Sequence, residues 1–267
     1  MPPPIDVCDA SSFDQELVAY LRNRRQLLCN YWYTEEKNMD EYLQSNRNLD
    51  VPHQLIAENQ YSEDYSKFIE DLSYLVPERN IRTWHFTRLT DQEVSLFLTK
   101  GVELSTKNSL NDRLARVVAD GLLNENFATK ILEDSPLHRG QADIREHQFC
   151  MISCPRSVRD CRVELLLQYW GGEVVYFWQQ DAEILEALSR IGRSRVVELK
   201  LSLSCRYDCH SVAEAMAASF ARSLGEVASQ GCFDIFFKKP LPSSSIIKVH
   251  SEGEDGFNLL EQCGGNN

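Results

Sequence analysis

Apolar positions in the first 80 residues recur at helical spacing. In "DQELVAYLRNRRQLL", Leu17, Leu21 and Leu28 fall near one face of a helix, and in "SEDYSKFIEDLSYL" the residues Tyr65, Phe68, Ile69, Leu72 and Leu75 form a stripe. The stretch between them, "NLDVPHQLIAENQ", loses the period around Pro52 and reads as a loop or short helix. No strand pattern occurs in residues 1–80, so this region is expected to be a helical N-terminal extension or cap.

From residue 81 the pattern changes. "RTWHFTRL" reads as a strand, and Thr90-x-x-Glu93 opens a helix as a capping box whose buried face would be Val94, Phe97 and Leu98. Gly101 fits the left-handed position that ends a helix, after which "VELST" reads as extended chain. Residues 109–133 carry one or two helices, and "HQFCMISCP" is a strand closed by Pro155. "VRDCRVELLLQYW" is helical up to Gly171-Gly172, which precede an expected strand, "EVVYFW". "DAEILEALSRIG" is a helix and "RVVELKLSLS" alternates as a strand does. Ser211-x-x-Glu214 has the form of a second capping box, opening a helix that closes near Gly225, and "FDIFFKKP" and "SSIIKVH" are the last two strands. The expectation is an α+β domain over residues 81–250, with six or seven short strands and helices between them. Residues 251–267, ending in Gly and Asn, read as a flexible C-terminal tail.

Composition narrows the class only a little. With 267 residues, 43% hydrophobic and 25% charged, the chain is ordinary globular material. No apolar run approaches the about 20 residues of a membrane-spanning helix. No secretory signal is visible at the start. Nine cysteines, an odd number, then read as reduced thiols in a cytoplasmic protein. The pairs Cys150/Cys154 and Cys205/Cys209 have three residues between them, a wider spacing than the usual zinc knuckle, and strand alternation would put Cys150 and Cys154 on one face; no metal is expected. Net charge is −12, and residues 1–80 carry 15 acidic against 7 basic side chains. An acidic surface of that kind is a poor platform for nucleic acid and tilts any macromolecular partner towards protein.

Candidate chemistry gathers around His85 and Arg88, on the strand that precedes the capped helix. Two acids could complete a site. Glu173 follows two glycines that would let a ligand approach closely, and Asp234 opens a strand late in the chain. Arg145, just before a strand, could hold a phosphate, or form an exposed charged turn with Glu146 and His147. The plainer reading of His85 is an edge histidine hydrogen-bonded to backbone, and of Trp170, Tyr176, Phe177 and Trp178 a core or pocket wall. No Walker loop, G-x-G-x-x-G or G-x-S-x-G motif is present, which argues against P-loop, Rossmann and nucleophile-elbow sites.

Trp84-His85-Phe86-Thr87-Arg88, followed by "LTKGVELS", resembles the first motif of the ADP-ribosyltransferase superfamily, and the "WGGE" segment looks like its third. The likeness extends loosely over residues 82–250, and the second-motif tyrosines of the histidine–tyrosine–glutamate subclass have no clear counterpart. The resemblance implies split mixed and antiparallel sheets with flanking helices, preceded by the helical N-terminal region. It implies NAD as substrate, bound through His85, Thr87, Arg88, Ser105 and Arg145, with His85 and either Glu173 or Asp234 catalytic. Residue type and the glycine approach favour Glu173, and strand order favours Asp234. The reaction implied is transfer of ADP-ribose to a macromolecular acceptor, protein or nucleic acid, as in a bacterial toxin or effector. An NAD glycohydrolase or a non-catalytic interaction module on the same scaffold are the alternatives. In the last case the stripe of Tyr65, Phe68, Leu72 and Leu75 would be a docking face for a protein partner.

Overall fold

A computed structural model describes residues 3–47, 55–203, 206–228 and 232–260. Three helices come first, α1 (Gln15–Arg22), α2 (Arg25–Ser45) and α3 (Ser62–Ser73), then β1 (Asn80–Leu89). Next are α4 (Asp91–Lys100), α5 (Lys107–Ala119), α6 (Glu125–Asp134), α7 (Ala142–Arg145) and β2 (Phe149–Ile152). They are followed by α8 (Cys161–Gln168), α9 (Glu173–Tyr176), α10 (Ala182–Arg190) and β3 (Arg193–Ser202). The chain closes with α11 (Arg206–Ser223), β4 (Asp234–Phe237), β5 (Ile246–Ser251) and α12 (Asp255–Leu260).

The chain divides into two compact units, Met1–Arg82 with Leu201–Phe233, and Thr83–Lys200 with Asp234–Asn267. Residues 201–233, expected within the 81–250 domain, thus join the N-terminal helices. The reason is visible in α11. Val212, Ala213, Ala215, Met216, Ala217, Ala218, Phe220 and Ala221 are all buried, so the helix is apolar on nearly every side and packs against α3 and α2. Ser211 and Glu214 lie inside this helix, not at its start, because α11 has already begun at Arg206 and the N–H groups there are in the helical ladder. The stripe on α3 is where its period puts it, with Tyr65, Phe68, Ile69 and Leu72 buried within the helical unit. It is core and not a docking face. Pro52 lies outside the described residues.

The second unit is α+β. Where split sheets of six or seven strands were expected, the described residues form one sheet of five, in the order β4-β2-β1-β3-β5. β1 pairs antiparallel with β2, β2 with β4, and β3 with β5. A helical layer supplies the core, where Leu110, Leu114, Ile131, Trp170, Ile184 and Leu188 pack together.

Four local expectations need correction. "VELST" is not a strand: Val102 makes a single antiparallel bridge to Leu241, and Thr106 caps α5. The capping box of Thr90 and Glu93 is present, yet Val94 and Phe97 are half-buried, Leu98 is exposed, and the buried side chain is Glu93 itself. Gly101 does adopt a φ of +91°, and a Cβ there would lie 2.0 Å from the Leu241 carbonyl oxygen, so the strand-side loop fits only against glycine. "EVVYFW" is helical over Glu173–Tyr176 despite its β-branched and aromatic residues. Gly171 and Gly172 enter it at positive φ, Val175 packs into the space a Gly171 side chain would fill, and Ser135 Oγ donates to the Val174 carbonyl at 2.7 Å. These tertiary contacts outweigh strand propensity. Finally, residues 251–260 are not a loose tail, since α12 buries Phe257 and Leu260.

Candidate functional site

The sheet register decides which candidates share a face. Side chains alternate along β1, so His85 and Thr87 point to one face and Trp84, Phe86 and Arg88 to the other. Trp84 pairs with Ile152, and Ile152 with Asp234, which places Asp234 on the face of Arg88, opposite His85. Cys150 pairs with Phe236 on that same face, and Cys150, Asp234 and Phe236 are all exposed there.

Arg88 is therefore not a ligand arm. Its Nε donates to the Ile191 carbonyl at 2.8 Å, Nη2 to the Gly192 carbonyl at 3.0 Å, and Nη1 to the Leu167 carbonyl at 3.3 Å. The guanidinium clasps the corner between α10 and β3 to the end of α8. Thr87 is buried, and Ser105 joins its backbone to His147 and Gln148. Thr87 thus faces the protein interior, and Ser105 is half-buried.

His85 is half-buried, and Nδ1 lies 2.7 Å from the Cys150 carbonyl. A carbonyl only accepts, so Nδ1 carries the proton and Nε2 of the neutral ring keeps its lone pair. Phe149 packs against the imidazole with ring centroids 4.3 Å apart. Loss of water around the ring lowers its pKa to about 4, against the Cys150 hydrogen bond, and the nearby Arg113 charge lowers it further. The backbone-bonded reading of His85 is thus the observed one, and the ring is neutral at physiological pH.

Behind it sits a network the sequence did not reveal. Both oxygens of Glu93 are engaged: Oε1 accepts from Arg113 Nε at 2.8 Å, and Oε2 from Trp170 Nε1 at 2.8 Å and the Thr90 backbone N–H at 2.9 Å. The Arg113 guanidinium carbon lies 4.8 Å from the Trp170 ring centroid. Burial is the largest influence on Glu93 and opposes its charge. Arg113, the Thr90 N–H and the Trp170 indole together outweigh it, so the carboxyl sits below its ordinary pKa. This network fixes Trp170, and with it the two glycines that lead into α9.

At the start of α9, Glu173 forms an ion pair with Arg145. Arg145 is held from two further directions, by a 2.9 Å hydrogen bond from Nε to Gln141 Oε1 and by the Phe177 ring, whose centroid lies 5.0 Å from the guanidinium carbon. The nearby Cys150 thiol registers this pair. Crowding away from water, followed by the charges of Glu173 and Asp234, pushes its pKa up to about 11, with Arg145 opposing. Cys150 is accordingly a protonated thiol and a poor nucleophile at neutral pH. Tyr176 responds likewise, its hydroxyl pushed up mainly by burial and secondarily by Glu173.

One residue, Cys150, thus links the candidates. Its carbonyl holds His85, and its thiol lies within electrostatic reach of Arg145, Glu173 and Asp234. Of the residues singled out in the sequence, Arg145 and Glu173 meet directly, Asp234 acts on the same Cys150 thiol as they do, and Arg88 is spent on backbone carbonyls elsewhere. The expected alternation of Cys150 with Cys154 does not hold, because β2 ends at Ile152; Cys150 is exposed and Cys154 buried. Cys205 lies outside the described residues. Among the described residues, no helix is long and apolar enough to cross a membrane. No protein-family model matches the sequence, and no curated protein or solved structure is significantly similar to it.

Proposed function

We propose that the α+β unit is an NAD-consuming enzyme of the ADP-ribosyltransferase type, in which Glu173 is the catalytic carboxylate. One observation carries the reading. A partly exposed carboxylate at the head of α9 pairs with an arginine beside an exposed phenylalanine, next to the strand residue whose carbonyl orients His85. Cleaving the bond between ribose C1′ and the nicotinamide nitrogen sends the electron pair to the pyridinium, which leaves neutral, and develops positive charge on the ribose. A carboxylate near that carbon stabilises the charge and accepts the proton of the incoming nucleophile. The Nε2 lone pair of His85 can accept a ribose hydroxyl proton. Arg145 supplies positive charge for the pyrophosphate. Glu173 is preferred to Asp234 because it is the acid paired with Arg145, the candidate pyrophosphate ligand.

The test is incubation of the full chain with NAD labelled in the adenylate half, with and without cell lysate, followed by assay of nicotinamide and of labelled polymer. The expected result is nicotinamide release and labelled macromolecule, reduced at least about a hundredfold by Glu173→Gln and little changed by Asp234→Asn. Release without labelling would make the protein an NAD glycohydrolase. Unchanged activity in Glu173→Gln would remove that residue from the chemistry, and no release at all would leave a binding module.

A further inference from the structure

The Arg145–Glu173 pair has unequal partners. Arg145 has two contacts besides Glu173: Gln141 holds Nε, and the Phe177 ring lies against the guanidinium. Among the described residues, Nη2 of Arg145 has no hydrogen-bond partner. Its side chain is 21% exposed, whereas that of Glu173 is 46% exposed, on a single-turn helix entered through two glycines. The carboxylate is the more exposed partner, and without it Nη1 and Nη2 of Arg145 are both unbonded while Nε stays with Gln141. Such a fork matches two oxygens of a phosphate.

We propose that Arg145 is a phosphate-binding socket for a nucleoside diphosphate group, and that Glu173 occupies it as a built-in competitor until the ligand arrives. The assignment deepens the NAD reading and rests on it only for the identity of the ligand. In that setting one exchange does two things. The diphosphate takes the guanidinium, and the acid is released from its counter-charge at the moment when substrate is present. An exposed pair of this kind is a weak tether, so displacement by a doubly charged ligand is favourable.

The opposite signs of two substitutions test the idea. ADP is titrated into the full-length protein, the wild type beside Glu173→Gln, Arg145→Ala and Arg145→Lys, with heat or intrinsic fluorescence as the readout and a thermal melt of each variant as a folding control. Removing the competitor should tighten ADP binding about two- to fivefold in Glu173→Gln, the factor expected for losing an exposed ion pair. Arg145→Ala should weaken it at least about tenfold, with Arg145→Lys between. Weaker binding in both Glu173→Gln and Arg145→Ala would show that the pair is scaffolding and overturn the proposal. Absence of ADP binding in the wild type and in Glu173→Gln would overturn it equally. If Arg145→Ala fails to fold, the sign of the Glu173→Gln change decides alone. Nicotinamide release is scored separately, so a socket without turnover would refute the enzymatic reading and leave this one standing.

Discussion

The two units of the chain treat their polar groups differently. In the helical unit Arg79 and Asn59 each close a local network. Arg79 directs Nε and Nη2 to Asp14, Nη2 also to Glu16, and Nη1 to the Leu75 carbonyl at 2.6 Å. Asn59 bridges the Tyr31 carbonyl at 3.0 Å and Glu35 at 2.7 Å while accepting from the Tyr61 N–H. In the α+β unit the Glu93 network is similarly closed, but its edges are not. Among the described residues, Arg113 Nη2 and both amide atoms of Gln179 are buried without a hydrogen-bond partner, as Trp32 Nε1 is in the helical unit. Buried polar atoms normally find partners, so each of these marks a place where the protein's own hydrogen bonding is incomplete. The helical unit closes its ion pairs around Arg79, and the α+β unit adds to its apolar core a charged network centred on Glu93.

That contrast can be broken from either side. The largest effect should come from Leu72→Ala in the helical unit, where the side chain has no exposure and the cavity left behind should cost about 2–5 kcal/mol by urea unfolding. A cost below about 1 kcal/mol would mean that the stripe is not the main support. Next is Glu93→Gln in the α+β unit, which keeps the shape and removes the charge facing Arg113. We expect about 2–3 kcal/mol at neutral pH. Because the folded carboxyl sits below its ordinary pKa, its contribution is present above the unfolded carboxylate value and lost as pH falls through the folded one. The gap between wild type and variant should therefore narrow in strong acid, and a gap that persists there would exclude charge as its source.

The smallest effect concerns His85. Its pKa falls from 6.5 to about 4 on folding, so below pH 6.5 the unfolded chain takes up a proton that the folded chain refuses. Wild-type stability should drop by about 1–2 kcal/mol as the pH is lowered across that window, and His85→Asn should be spared that part of the loss. Parallel pH profiles for the two proteins would show that the ring titrates normally.

Much of the fold is legible because it rests on local rules. The box of Thr90 and Glu93 announces the start of α4, Gly101 its end, and the period of α3 its buried face. A capping motif describes backbone N–H groups within one turn, however, and says nothing of Trp170, which reaches Glu93 from 77 residues away. The same limit applies to the site. Arg145 and Glu173 are each recognisable as candidates, but their meeting across 28 residues depends on how α9 is set by its two glycines, and its helical form runs against its own propensity. Arg88 misled for a related reason: two residues three apart on a strand face opposite sides, so a motif that joins it to His85 joins groups that never share a space.

The clasp made by Arg88 sets a limit on how this chain can vary. One planar group spans acceptors from two separate turns, Leu167 on one side and Ile191 with Gly192 on the other. A rigid fork tolerates little slack. Lengthening either turn by a residue would carry a carbonyl out of reach and strand a cation between three oxygens, so insertions belong elsewhere on the surface and these two connections must keep their lengths together.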